Sequence, residues 1–250
     1  MHGDLTRDAW PSLPRSPLVL VPLGSTEQHG PHLPFSTDTV IASAVVALVA
    51  QHHTARGHDI VIAPAVPYGA SGEHQGFPGT VSIGTEALTM VIVELVRSLS
   101  TWAGRIVLVN GHGGNLAALT AAVPKLIDEG HHVAWAPCTV AGGDAHAGET
   151  ETSLMLHLCP ENVNMAAAVP GATSPISTLI DVLAADGVRA VSATGILGDP
   201  TGATAARGAV LLGAMRTGVS LRILAGSLDS RGCLRHPAAL PTLPTTGGRS

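Results

Sequence analysis

Short apolar runs alternate with longer mixed runs along this chain. Residues 18–22, 60–65, 106–109 and 133–137 are almost continuously apolar. Runs of that length predict strands covered on both faces. Between them lie stretches with helical character: 37–56, closed by Gly57; 85–102, with Thr85 as the expected N-cap and Glu86 in the first turn; and 116–129, stopped by Gly130 and bent at Pro124. Two more follow at 149–158 and 204–225. Strands that alternate with helices predict an α/β fold. The expected form is a three-layer sandwich with a mainly parallel central sheet and helices on both faces.

The length of 250 residues fits one domain. Residues 1–17 read as an N-terminal extension and 18–233 as the domain. Residues 234–250, with Pro237, Pro241 and Pro244 and a Gly-Gly-Arg-Ser end, read as a disordered tail. In an open parallel sheet, ligands bind beyond the carboxyl ends of the strands. Four polar loops fall there. Gly24 to Gly30 follows the first strand, and Tyr68 to Ser82, with Glu73 and His74, follows the second. Asn110 to Asn115 follows the third, and His146 to Glu151 the fourth.

Composition narrows the possibilities. Aromatics are only 2% of the chain, so Val, Leu, Ile and Ala must fill the core. A net charge of −5 offers no basic footprint for nucleic acid. Three widely spaced cysteines, with no Cys-x-x-Cys pair, suggest neither a disulfide framework nor a zinc knuckle. The first 17 residues lack the apolar core of a signal peptide, and the apolar stretch 40–50 is too short to span a bilayer. A cytoplasmic protein without a membrane partner is expected. His52, His53, His131 and His132 lie near element ends and are expected to face solvent.

The chemistry lies in the four loops. Imidazole and carboxylate together suit Zn²⁺, Fe²⁺ or Mn²⁺. Glu27 and His29 are two apart and would point the same way from an extended segment. Asp38 opens a helix, where it could bridge two metals or simply cap the helix. His112 lies between glycines and could be a ligand or a backbone hydrogen-bonding group. Glu73 and His74 could face substrate or lie on a plain loop surface. There is no His-Glu-x-x-His, Walker loop or Gly-x-Ser-x-Gly elbow. The combination therefore carries the argument, and it points to a metal hydrolase.

These residues also carry a resemblance. The segment Pro22-Leu23-Gly24-Ser25-Thr26-Glu27-Gln28-His29-Gly30-Pro31-His32-Leu33-Pro34 resembles the opening motif of the creatininase (creatinine amidohydrolase) family. Asn110-Gly111-His112-Gly113-Gly114-Asn115 is similar to the second motif. Phe77-Pro78-Gly79-Thr80 and His146-Ala147-Gly148-Glu149-Thr150-Glu151-Thr152-Ser153 are similar to two more. The resemblance runs from about residue 18 to residue 215 and keeps the family's order. It implies a homo-oligomeric hydrolase with two divalent metal ions, zinc or iron, with manganese possible. Glu27, Asp38 and His112 would hold one metal, and His29 with the bridging Asp38 the other. Creatininase has a glutamate ligand where this chain has Gly114. Glu151 is the expected replacement and Glu149 a weaker one.

His146 and Glu151 are the expected proton-moving residues, and Glu73, His74 and Asn115 the expected substrate contacts. The Gly113-Gly114 form and the segment 195–203 resemble a branch with formamide hydrolases and a peptidase. That peptidase removes a C-terminal Val-Tyr dipeptide from a modified precursor peptide. The resemblance thus implies a small peptide or small amide substrate. The alternatives are a deformylase or cyclic-amide hydrolase, and a metal-binding scaffold without turnover.

Overall fold

The computed structural model describes residues 3–237. One sheet holds β1 (Gly3–Asp4), β2 (Leu18–Leu23), β3 (Ile60–Ile62), β4 (Arg105–Asn110) and β5 (Val133–Pro137). The spatial order is β1-β3-β2-β4-β5, and every pairing is parallel. The helices are α1 (Thr37–Thr54), α2 (Gly84–Leu99), α3 (Leu116–Asp128), α4 (Glu149–Leu158), α5 (Ile176–Asp186), α6 (Val188–Val191) and α7 (Ala205–Ala225). The register sets Leu23 opposite Asn110, and Asn110 opposite Pro137. Three strands therefore end level, and the loops that follow them start from one rim.

Strand pleating sorts the core into two halves, because successive side chains point to opposite faces. Leu20, Val107, Val109, Ala134 and Ala136 pack against α1, α4 and α7. Val19, Val21, Ile106, Leu108 and Trp135 pack against α2 and α3. This is the expected three-layer α/β sandwich. On α2, Leu88, Ile92, Val96 and Leu99 bury one stripe at helical spacing. On the other side α4 and α7 approach closely: a Cβ built on Gly208 would lie 1.9 Å from the Ser153 carbonyl oxygen. By length and composition alone α7 could cross a membrane, but it lies against α1 and α4 with Leu211, Leu212, Met215, Val219 and Ile223 buried.

Several details differ from the sequence reading. Gly3–Asp4, inside the expected extension, adds an edge strand beside β3. Strand β3 stops at Ile62, before Pro64, which has no N–H for a ladder. Helix α2 starts at Gly84, and no side-chain hydrogen bond caps it, so Thr85 is in the first turn and is not the cap. His53 is buried and not solvent-facing, because α1 turns it inward beside Val49 and Ala50. Leu234, placed at the start of the expected tail, is fully buried in the core, and its N–H donates to the Trp135 carbonyl. Residues 238–250 of that tail lie outside the described residues.

Candidate metal centre

The loops beyond the strand ends bring their imidazoles and carboxylates into one buried cluster. Asp38, in the first turn of α1, sits at its middle. Its Oδ1 is 3.1 Å from His29 Nε2, its Oδ2 is 3.3 Å from His112 Nδ1, and Oδ2 accepts from Ser25 Oγ at 2.6 Å. The carboxylate thus turns to side chains of other loops instead of capping its own helix. Glu27 lies on one side of it. His112 Nε2 is 3.1 Å from Glu27 Oε2, His74 Nε2 is 3.3 Å from Oε1, and His146 Nδ1 is 3.6 Å from Oε1. Glu151 lies on the other side, with Oε2 3.7 Å from His29 Nε2 and accepting the Ala147 N–H at 2.6 Å.

Gln28 organises two of the imidazoles. The Gly30 N–H donates to its Oε1, and its Nε2 donates to the Gly195 carbonyl and to His74 Nδ1. His74 Nδ1 is therefore an acceptor, and in the neutral ring the proton sits on Nε2, facing Glu27. His146 Nε2 lies 2.8 Å from the Gln28 carbonyl oxygen, to which it donates. That leaves His146 Nδ1 as a free lone pair pointing into the cluster. Burial holds the His74 imidazole down at about 3, and burial with the nearby His29 charge holds His146 well below the ordinary range.

The remaining charges follow from the same packing. Burial works against charge on His29, but the adjoining Asp38 carboxylate carries it up to about 10. Burial also works against charge on Asp38, and the facing His29 and His112 hold it well below the usual carboxylate range. Burial pushes Glu151 up to about 7, partly opposed by His29. Two carboxyls of one loop cluster are thus held in opposite directions, a pattern typical of sites that move protons. Cys138 is close by, but burial pushes its thiol up to about 12, which does not suit a nucleophile.

Both oxygens of Glu27 are buried and have no hydrogen-bond partner among the described residues. A carboxylate withdrawn from water without donors costs several kcal/mol, and a cation offsets that cost. Three groups of potential donor atoms, each within 4.8 Å, converge here: Glu27, Asp38 and His112; His29, His146 and Glu151; Glu27, His74 and His146. Their N/O chemistry suits zinc, iron or manganese. The residues present therefore fit divalent metal.

All nine residues singled out from the sequence lie in or beneath this cluster. Asn115 lies beneath it: its Nδ2 donates to the Gly24 carbonyl and to Asn110 Oδ1, and its Oδ1 accepts the Ala70 N–H. That amide ties three loops together. Glu149 points away, half exposed, toward Arg207. Sequence reasoning missed Ser25, Gln28 and Ser71, whose Oγ is 3.3 Å from His112 Nε2. Ser25 and Gln28 stand inside the opening motif but are not themselves typical metal ligands, and Ser71 lies outside every motif. Only their burial beside charged groups marks them.

Comparison with known proteins agrees with this geometry. The family model described as creatinine amidohydrolase matches residues 4–222. The mycofactocin precursor peptide peptidase of Mycolicibacterium smegmatis is 54% identical over 219 residues, covering 87% of this chain and 89% of that one. A putative creatinine amidohydrolase from Bacteroides fragilis superposes with a TM-score of 0.74 at 26% identity, over 87% of this chain and 93% of that one. A Zn-Zn creatininase variant superposes at 0.66 with 26% identity, over 82% and 88%. Fold, donor cluster and sequence coincide over most of the length, and the chain belongs to the creatininase family of metal-dependent hydrolases acting on C–N bonds.

Proposed function

We propose that this chain is a dinuclear metal peptidase that releases the C-terminal Val-Tyr dipeptide from the precursor peptide of mycofactocin. The observation that carries the reading is the 54% identity to the M. smegmatis precursor peptide peptidase across 87% of this chain. The buried, two-sided donor cluster supports it. Glu27, Asp38 and His112 would hold one metal, and His29, Asp38 and Glu151 the other, with zinc or iron, or manganese, as the ions. When bound, the metals lower the pKa of a shared water and polarise the scissile carbonyl. Asp38 joins the two halves and fixes their spacing. Ser25 holds the Asp38 carboxylate in place.

His146 Nδ1 has a lone pair free because its Nε2 is committed to the Gln28 carbonyl. That nitrogen is placed to move a proton toward the leaving nitrogen, next to the Glu151 side of the cluster. His74 Nε2 lies against Glu27 Oε1 at 3.3 Å and limits where that carboxylate can turn. A cavity of about 570 Å³ opens beside His112, and Trp135, Arg222 and Arg231 are among its lining. Its size suits a dipeptide, while Arg231 is already paired with Asp229 and Arg222 donates to the Leu234 carbonyl. The reading includes a cytoplasmic homo-oligomer without nucleic-acid or membrane partners. The exposed Ile176, Ile180 and Val182 of α5 support subunit contact.

The test is incubation of the purified, metal-loaded protein with the modified precursor peptide, with products read by mass spectrometry. Stoichiometric Val-Tyr is expected. Formate from formamide substrates, with no dipeptide, would instead mark the chain as a deformylase.

A further inference from the structure

Glu73 lies on the short 3-10 turn Gly72–His74, after β3. Its Oε1 is 3.7 Å from His112 Nε2, the nitrogen that also faces Glu27 Oε2 at 3.1 Å. Two carboxylates therefore converge on one imidazole nitrogen, which can donate to only one of them. Among the described residues, no N–H or O–H of another residue donates to the Glu73 carboxylate. The Glu27 oxygens are fully buried, receive no aligned hydrogen bond among the described residues, and are faced by imidazole nitrogens. Such an arrangement of like charges is stable when a cation lies among them.

Gly114 makes the arrangement possible. A Cβ built there would lie 2.6 Å from Glu73 Oε1, 2.4 Å from His112 Nε2 and 2.2 Å from the Ala70 carbonyl oxygen. The Glu73 carboxylate occupies the space that any side chain at 114 would enter. Glu151 stands elsewhere, against His29 on the far side of Asp38. We infer that Glu73 is a metal ligand, the additional carboxylate on the Glu27–Asp38–His112 side, reaching the ion through the space that Gly114 leaves open. The inference rests on the metal-hydrolase reading above. The His112 side then has two carboxylates of its own, Glu27 and Glu73, and the His29 side has Glu151, with Asp38 between.

Metal titration tests this directly. Wild type, Glu73→Gln and Glu73→Asp are stripped with a chelator and titrated separately with Mn²⁺ and Zn²⁺ against a chromophoric competitor. Thermal melts confirm folding, which a partly exposed turn residue should leave intact. Wild type should bind two ions per chain. Glu73→Gln should weaken one of the two sites by at least about tenfold and leave the other unchanged. Glu73→Asp, which keeps the charge on a shorter stem, should fall between them. Equal affinities for both ions in all three proteins would overturn the assignment and leave the hydrolase reading intact. A folded wild type that binds neither ion would overturn the hydrolase reading itself.

Discussion

At the residue scale, the cluster depends on a few groups with two tasks each. Asp38 faces both His29 and His112. Asp38→Ala should therefore cost metal content and turnover together, read by elemental analysis and by dipeptide release. A variant with full activity would remove Asp38 from the centre. Gln28 makes no contact with a carboxylate of the cluster, yet it sets the proton positions on His74 and His146. Gln28→Ala should lower kcat by about 10–100-fold, as losses of groups that orient a metal site commonly do. Metal stoichiometry should remain at the wild-type level, which separates this effect from that of Asp38→Ala. The side-chain types at the site were legible in the sequence, since polar residues stand out after apolar strands. Their pairing was not. Whether Glu73 or Glu151 faces a given imidazole depends on how a glycine-rich loop turns, and no local pattern encodes that.

At the element scale, two helices carry opposite lessons about local rules. A glycine inside a helix ordinarily costs about 0.5–1 kcal/mol relative to alanine. In α7 the sign should reverse at Gly208, because a Cβ would meet the Ser153 carbonyl at 1.9 Å. Gly208→Ala should destabilise the protein by about 1–3 kcal/mol. It should also reduce activity, since α4 carries Glu151; unchanged melting would contradict the close packing described. In α1, burial and the neighbouring His58 and His52 hold His53 down at about 4. The unfolded chain takes up this proton near pH 6.5, while the folded chain resists until about pH 4. His53 therefore contributes nothing above pH 6.5. Its penalty grows as pH falls from 6.5 to 4 and is constant below. The penalty is on the order of 2–3 kcal/mol. Denaturant unfolding of His53→Gln across that window should show a shallower loss of stability than wild type. Helices α2 and α3 could be read from their apolar stripes, and α1, α4 and α7 from their length and composition. Helix α5 went unpredicted although Ile176, Leu179, Ile180 and Leu183 recur at helical spacing; it buries none of its residues fully and belongs to no motif of the site. Strand β1 escaped for another reason: two residues are too few to show alternation.

At the scale of the whole molecule, donor atoms for metal come from loops after β2, β3, β4 and β5, and from the head of α1. Ions bound among them stabilise the folded state by mass action, by about 2.7 kcal/mol at a free concentration one hundred times Kd. Removal with a chelator should lower the melting temperature and abolish turnover. Re-addition of Zn²⁺ or Mn²⁺ should restore both, and melting indifferent to the chelator would count against a centre that spans the loops.

The parallel order of the sheet has a consequence for synthesis. The cluster spans residues 25 to 151 of the sequence, and the helix that braces Glu151 is α7, more than fifty residues further on. A ribosome releases the imidazoles and carboxylates one loop at a time: Glu27, Asp38 and His112 are all made by residue 112, and His146 and Glu151 follow only with the loop after β5. The two halves of the cluster are therefore completed in order, the Glu27 side before the Glu151 side. A product cut short before α4 would carry one donor group and lack the other, and only a chain that reaches α7 has the helix against which α4, and with it Glu151, is packed.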